Sequence, residues 1–309
     1  MVNVMVIGAG AVGAAAAYEL AQTALARVLL YDVDDGRARG RVMDIRHAVD
    51  NPRCIQQARD LSRLSDAQLI LVAAGVARQS GMQRADLATR NAIIVQDILG
   101  YIAVFAPSVP VVIITNPCEA LTLMAHERWP RLRVFGFGCS LDQWRMRHLI
   151  AASLGCGAGR VKAMVIGTHS DAMIPLSRLA SVDGVPVSTL LSDQELSRIE
   201  DRTRTAGTRV VEALGTHSGF IAAGRAAAAL ATAVVCGDGG LYPLSVATNG
   251  AYGIDDACLA LPVDVSSGSF RSVALGLTES EENALYRCAQ LVRTTVAKVT
   301  ALAVGERGK

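Results

Sequence analysis

Five short apolar runs punctuate the first 140 residues: VNVMVIG at 2–8, RVLLYD at 27–32, AQLILVAAG at 67–75, VPVVIITNP at 109–117 and RVFGFG at 133–138. Segments of helical period separate them, which predicts a βαβ rhythm. Each run is β-branched or Leu-rich without polar alternation, the pattern of strands buried on both faces of a parallel sheet. From about residue 141 the rhythm changes. A helix is predicted near 141–154, a strand at VKAMVIG (161–167), a long helix near 192–214 and an Ala-rich helix at 218–236. Shorter strands follow in LSVATNGAYG (244–253) and ACLALPVDVS (257–266), punctuated by Gly and Pro. Thr278 and Glu281 form a capping-box pattern that opens a closing helix. The expected architecture is therefore α/β. A Rossmann-type doubly wound parallel sheet over 1–140 precedes a mixed α+β catalytic domain over 141–309, and no low-complexity linker separates the two.

Composition narrows the class. With 309 residues and 51% hydrophobic content, the chain can bury a large core. Aromatics contribute only 4%, so that core is mostly Ala, Val, Leu and Ile. The formal charge is +2 and neither sign forms a long run, which argues against a nucleic-acid or membrane-surface partner and for a small soluble ligand. The apolar start is interrupted by Gly8, Gly10 and Gly13 and has no basic leader, so it reads as neither signal peptide nor membrane span, and a cytoplasmic protein is expected. Seven cysteines at 54, 118, 139, 156, 236, 258 and 288 show no metal-ligand or redox spacing. Most are expected to be buried small apolar residues, and no metal site is expected.

The most informative local motif is Gly8-Ala9-Gly10-Ala11-Val12-Gly13, which follows strand VMVI and opens the helix AAAAYELA. Gly8 permits the tight turn, Gly10 lets the backbone approach a pyrophosphate, and Gly13 allows close helix–strand packing. The helix N-terminus offers amides to the anion. Asp32 ends the second strand nineteen residues after Gly13, where a carboxylate accepts ribose hydroxyls and repels a 2′-phosphate. NAD is favoured over NADP, with Arg37 and Arg39 nearby.

Acid–base and anion-binding candidates lie elsewhere. His169, in VIGTHSDAM, alone among five histidines follows an apolar strand between small residues. Asp142 and Arg145, three apart at a predicted helix start in SLDQWRMRHLIA, can share a face. One can orient an imidazole while the other grips a carboxylate. Arg78 and Arg84 bracket Gly81 in AGVARQSGMQRADL, a segment with the composition of a mobile lid. Asn116 ends VVIITNP at the carboxyl end of a predicted strand, where open α/β sheets bind ligands, and Pro117 suits a cis peptide.

Taken together, GAGAVG, AAGVARQSGMQRADL, ITNP, SLDQWR and GTHSD resemble the lactate/malate dehydrogenase family in order and approximate spacing, along essentially the whole chain. The resemblance implies an NAD-dependent 2-hydroxy-acid dehydrogenase. His169 would carry the proton, Asp142 orient it, Arg145 clamp the C1 carboxylate and Arg84 polarise the C2 oxygen. It assigns Gly8, Gly10, Val12, Gly13, Asp32, Asn91 and Asn116 to the cofactor, Asn116 also contacting the reacting oxygen. Arg78 stands where malate-type members carry Arg and lactate-type members commonly Gln, so malate/oxaloacetate is the expected substrate pair. A cation under a closed lid needs a second carboxylate, and a methyl group would leave it unpaired. Ser218, in THSGF, resembles the small residue that leaves room for the larger acid. A homo-oligomer, dimer or tetramer, is also implied.

Some positions depart from the family pattern. Thr168 and Ser170 replace the glycines that usually flank the histidine. Cys118-Glu119 follows TNP where Val-Asp or Val-Asn is familiar, and Trp144 is bulky beside Arg145. Other readings stay open at this point: a lactate dehydrogenase or another 2-hydroxy-acid dehydrogenase, an NAD-dependent glycosidase, and a catalytically idle NAD-binding protein.

Overall fold

A computed structural model describes residues 2–23, 25–76, 84–215, 219–237, 239–266 and 269–306, without the side chains of 84–85 and 303–306. In chain order the strands are β1 (Val2–Ile7), β2 (Ala26–Tyr31), β3 (Ile55–Gln57), β4 (Leu69–Val72), β5 (Val111–Ile113), β6 (Val134–Gly136), β7 (Val161–Lys162), β8 (Val165–Ile166), β9 (Ile174–Pro175), β10 (Ser181–Val182), β11 (Val185–Pro186), β12 (Leu241–Ala247), β13 (Cys258–Asp264) and β14 (Arg271–Ser272). The helices are α1 (Ala11–Thr23), α2 (Asp35–Ala48), α3 (Arg84–Phe105), α4 (Cys118–Arg128), α5 (Ser140–Leu154), α6 (Asp193–Leu214), α7 (Ile221–Cys236) and α8 (Glu279–Glu306).

Among the described residues, nine strands form one sheet in the order β14-β13-β12-β6-β5-β4-β1-β2-β3. The six strands from β1 to β6 are parallel, with Val4 opposite both Val28 and Leu69. Their order reverses direction between β1 and β4, the switch point outside which open α/β sheets bind ligands. Each of the five apolar runs contains one of these strands. β4 and β5 are buried at every residue, as expected for strands covered on both faces. β3 was not anticipated, because three residues, IQQ, are too short and too polar to register as a run.

The second half extends this sheet and adds two small ones, β11-β10-β7 and β8-β9. β12 pairs antiparallel with β6 through Ser245 and Gly136, and β13 and β14 continue that edge. The single strand expected at 161–167 is two strands, β7 joining β10 and β8 joining β9. The chain bends between them because the two dipeptides serve different small sheets. Likewise β12 starts before the expected segment and stops at Ala247; the remainder, 248–253, turns through positive φ at Asn249, Gly250 and Tyr252.

Helix packing answers to small residues. A Cβ at Gly224 of α7 would lie 2.4 Å from Ala15 Cβ of α1, so the Ala-rich helix, which begins at Ile221 rather than 218, packs tightly inside this chain. The capping box that opens α8 is formed, with Thr278 N donating to Glu281 Oε2 at 2.8 Å and Glu281 N to Thr278 Oγ1 at 3.3 Å. Over Asp86–Phe105, α3 is long and apolar enough to cross a membrane. Its Ala88, Ala92, Val95, Leu99 and Ile102 are buried in the protein core. Five of the seven cysteines are buried and all are free thiols, as expected of small apolar core residues.

Candidate active site

At the carboxyl end of β1 the glycines do three different jobs. Gly8 holds φ 104°, and a Cβ there would meet Ala74 N at 2.5 Å, so the turn lies directly on the start of the next loop. A Cβ at Gly13 would meet the Gly8 carbonyl oxygen at 1.9 Å, which sets how closely α1 approaches β1. By contrast, a Cβ at Gly10 would meet nothing within 4 Å. That bare backbone at the start of α1 is a cradle with the shape and polarity a pyrophosphate requires. Val12 is half-buried in the first turn. Asp32 closes the cradle: Oδ2 accepts the Ala9 N–H at 2.7 Å, Oδ1 accepts the Asp34 N–H at 2.9 Å, and Arg37 Nη1 lies 3.4 Å from Oδ1. The amides of the turn and the Asp32 carboxylate fit an adenine dinucleotide whose adenosine ribose carries a free 2′-hydroxyl.

Two loops meet beside this cradle. Asn91, buried on α3, accepts the Val76 N–H at 2.8 Å and donates to the Asn116 carbonyl at 2.7 Å. The side chain expected to touch cofactor thus ties the β4–α3 loop to the β5–α4 loop, and the geometry gives it a positioning task. Gly75 is required there, since a Cβ would approach Asn91 Oδ1 to 2.9 Å and Thr115 Cγ2 to 2.8 Å. Asn116 precedes a cis peptide to Pro117, as the TNP turn suggested.

The acid–base candidates come together on α5 and the loop after β8. Asp142, in the first turn of α5, is fully buried. Its Oδ2 lies 2.6 Å from His169 Nδ1 and its Oδ1 accepts from Arg145 Nη1 at 2.9 Å. One carboxylate therefore orients both partners. With Nδ1 engaged, Nε2 is the ring nitrogen without a partner among the described residues, and the His169 side chain is 25% exposed. The Asp142 carboxylate raises the imidazole above its ordinary value, against desolvation, and Arg145 opposes that rise. Arg145 is 19% exposed and lies over α6, where a Cβ at Gly207 would come within 3.2 Å of Nη1.

The histidine loop is anchored more heavily than the sequence suggested. Gly167 exchanges both backbone hydrogen bonds with Ala260 of β13, at 2.9 and 2.7 Å. Thr168 and Ser170, the departures from the family pattern, bond hydroxyl to hydroxyl at 2.8 Å, and Ser170 Oγ accepts the Ala172 N–H at 3.2 Å. Glu119 was missed as a site residue. It is buried on α4, and its Oε1 accepts the His169 backbone N–H at 3.0 Å and the Ser245 hydroxyl at 3.2 Å. The signal for it was the unusual Cys118-Glu119 pair after TNP.

Arg78 and Ser218 lie outside the described residues, as does the side chain of Arg84, whose backbone opens α3. The remaining candidates lie in two groups, one on the β1, β4 and β5 loops and one on α5 with His169, and the Glu119 bond to the His169 backbone links them. Among the described residues, no cluster of His, Cys, Asp and Glu is arranged to hold a metal.

Known proteins resemble this chain in sequence and fold. Residues 2–136 match the family model of the lactate/malate dehydrogenase NAD binding domain, and residues 139–303 that of the family's alpha/beta C-terminal domain. The chain is 34% identical over 302 residues to a malate dehydrogenase of Nitratiruptor sp., covering 95% of each. Among solved structures, malate dehydrogenase from Salinibacter ruber is similar at a TM-score of 0.88, with 30% identity over 99% of this chain and 100% of that one. Lactate dehydrogenase from Eimeria maxima, solved with NADH and oxamate, is similar at a TM-score of 0.90, with 26% identity over 99% and 96%.

Proposed function

The chain belongs to the lactate/malate dehydrogenase family, and from that premise we propose that it is a malate dehydrogenase, interconverting malate and oxaloacetate with NAD. The observation that carries the chemistry is the buried Asp142 carboxylate that bonds His169 and Arg145 at once. The substrate rests on Arg78.

The cofactor is NAD, and when bound it supplies the hydride acceptor or donor at its nicotinamide ring. Gly8, Gly10, Val12, Gly13 and Asp32 hold it, while Asn91 keeps the two loops beside it in register. Arg145 pairs the C1 carboxylate of malate, with one N–H already fixed by Asp142 and others free for a bidentate grip. Arg78 pairs the distal carboxylate, Arg84 polarises the C2 oxygen, Asn116 contacts that oxygen, and Ser218 leaves room beside it. His169 accepts the C2 hydroxyl proton at Nε2, and Asp142 stabilises the imidazolium that results. In the reverse direction the same nitrogen returns the proton to oxaloacetate.

Arg78→Gln tests the substrate. Oxaloacetate reduction, followed by NADH absorbance, should fall about a hundredfold more than pyruvate reduction, because the lost cation serves only the distal carboxylate. Equal losses on both acids would remove Arg78 from that role.

We assign an NAD-binding domain to residues 1–140 and a catalytic domain carrying His169, Asp142 and Arg145 to 141–309, with Arg78, Arg84 and Asn116 of the first domain also reaching the substrate. A cytoplasmic location suits the seven free thiols. A homo-oligomer, dimer or tetramer, is supported by large apolar side chains left exposed on helices: Met43, Val210, Val211 and Ile221. Light scattering checks that state.

A further inference from the structure

Glu119 is a buried carboxyl that the reaction scheme leaves without a task. It is 6% exposed, in the first turn of α4, one residue beyond the peptide pair Asn116-Pro117 and Cys118. Burying such a group is unfavourable unless donors compensate it. Two do, both on Oε1: the His169 backbone N–H at 3.0 Å and the Ser245 hydroxyl at 3.2 Å. Ser245 is the residue through which β12 meets β6. The donors therefore come from the catalytic loop and from the seam between the two halves of the large sheet.

The surroundings explain why this bond matters. The thiols of Cys118, Cys139, Cys258 and Cys288 are pushed up by burial and stay neutral, so they add no negative charge to the site. Burial likewise pushes the Glu119 carboxyl above its ordinary value, and His169 pulls it back. The His169 ring is fixed by Asp142 at a single atom, Nδ1. A ring held at one point can still swing if its Cα moves, and the backbone anchor of Gly167 on Ala260 lies two residues before it. A second hold on the backbone removes that freedom. Glu119 supplies it from an element fifty residues away in sequence.

We propose that Glu119 is a positioning residue for the reaction: its Oε1 pins the His169 backbone, so that Nε2 meets the C2 oxygen at one distance and angle. This rests on the assignment of His169 as proton carrier. The Glu119 carboxyl itself touches no substrate.

Two variants of the full-length protein separate the acceptor oxygen from the volume of the side chain. Glu119→Leu removes the acceptor, and Glu119→Gln keeps an amide oxygen in its place. The readouts are kcat and KM for oxaloacetate, NADH affinity by fluorescence, and exchange of the His169 amide in protein labelled with 15N-histidine. Glu119→Leu should lower kcat about ten- to a hundredfold, the effect of a small misplacement of a reacting group, with NADH affinity unchanged. Glu119→Gln should recover most of that loss. Equal losses in both variants, or a wild-type kcat in Glu119→Leu, overturn the proposal. The amide readout needs neither substrate nor a folded Leu variant. In wild type and in Glu119→Gln the His169 amide should exchange far more slowly than an open loop amide. Exchange as fast as in an open loop overturns the proposal. A wild-type protein that reduces no 2-oxo acid contradicts the malate reading alone, and the amide measurement still decides the Glu119 bond.

Discussion

Asp142 spends one oxygen on His169 and the other on Arg145, and both bonds form where the carboxylate has no solvent. An Asn at this position can serve only one of them as an acceptor. If its oxygen stays with Arg145, its NH2 faces Nδ1, forcing the ring proton to Nε2, which must be free to accept. Asp142→Asn should therefore lower kcat for malate oxidation about 10²- to 10⁴-fold. It should also move the pH profile. The Asp142 carboxylate raises the His169 pKa, so the imidazolium, which in the proposed scheme donates to oxaloacetate, persists below that pKa and is lost as pH rises through it. Without the carboxylate, the decline of oxaloacetate kcat/KM with rising pH should shift to lower pH, and an unmoved limb would show that Asp142 does not set it. The Asp142–Arg145 pair was legible in sequence because three residues span one face of a helix. Glu119 was legible only as an oddity, since no local spacing reports a bond across fifty residues.

At the scale of elements, close approach is set by glycines, and Gly207 gives the sharpest consequence. It lies inside α6, where glycine costs about 1 kcal/mol relative to alanine. A Cβ there would stand 3.2 Å from Arg145 Nη1 and 3.6 Å from Nη2, so the bare helix backbone is the floor on which the guanidinium rests. Gly207→Ala should preserve or raise Tm while displacing the guanidinium by a few tenths of an ångström. Oxaloacetate kcat/KM should fall roughly tenfold, because a carboxylate clamp depends on its angle. An unchanged kcat/KM alongside a raised Tm would show that the guanidinium adjusts freely. The elements themselves were readable to different depths. Five of the six parallel strands showed as apolar runs because both their faces are covered, and the cap of α8 is local chemistry. The break within 161–167 was hidden, since the two ends of one apolar run pair with different strands, β10 and β9, and nothing inside the run reports that.

For the whole molecule, the important contact is the one that makes two halves into one sheet. β12 joins β6, α7 packs on α1, and the larger apolar core runs through both halves. Residues that cradle the cofactor lie in the first half, while His169, Asp142 and Arg145 lie in the second. Ligand binding at the cradle should then stabilise the complete chain as one cooperative unit rather than its N-terminal part. At a hundred times its Kd, NADH adds about 2.7 kcal/mol to the folded state. For a chain of 309 residues, with an unfolding entropy of about 2.1 cal/mol/K per residue, that corresponds to a Tm rise of about 4 °C. Calorimetry at fixed protein concentration should show a single transition that moves by this amount, and the shift should shrink in Asp32→Ala, which lacks the carboxylate meant for the ribose. Two transitions, of which NADH moves only one, would mean that the β6–β12 seam does not couple the halves. The cofactor would then stabilise its own domain while leaving the histidine loop to open independently.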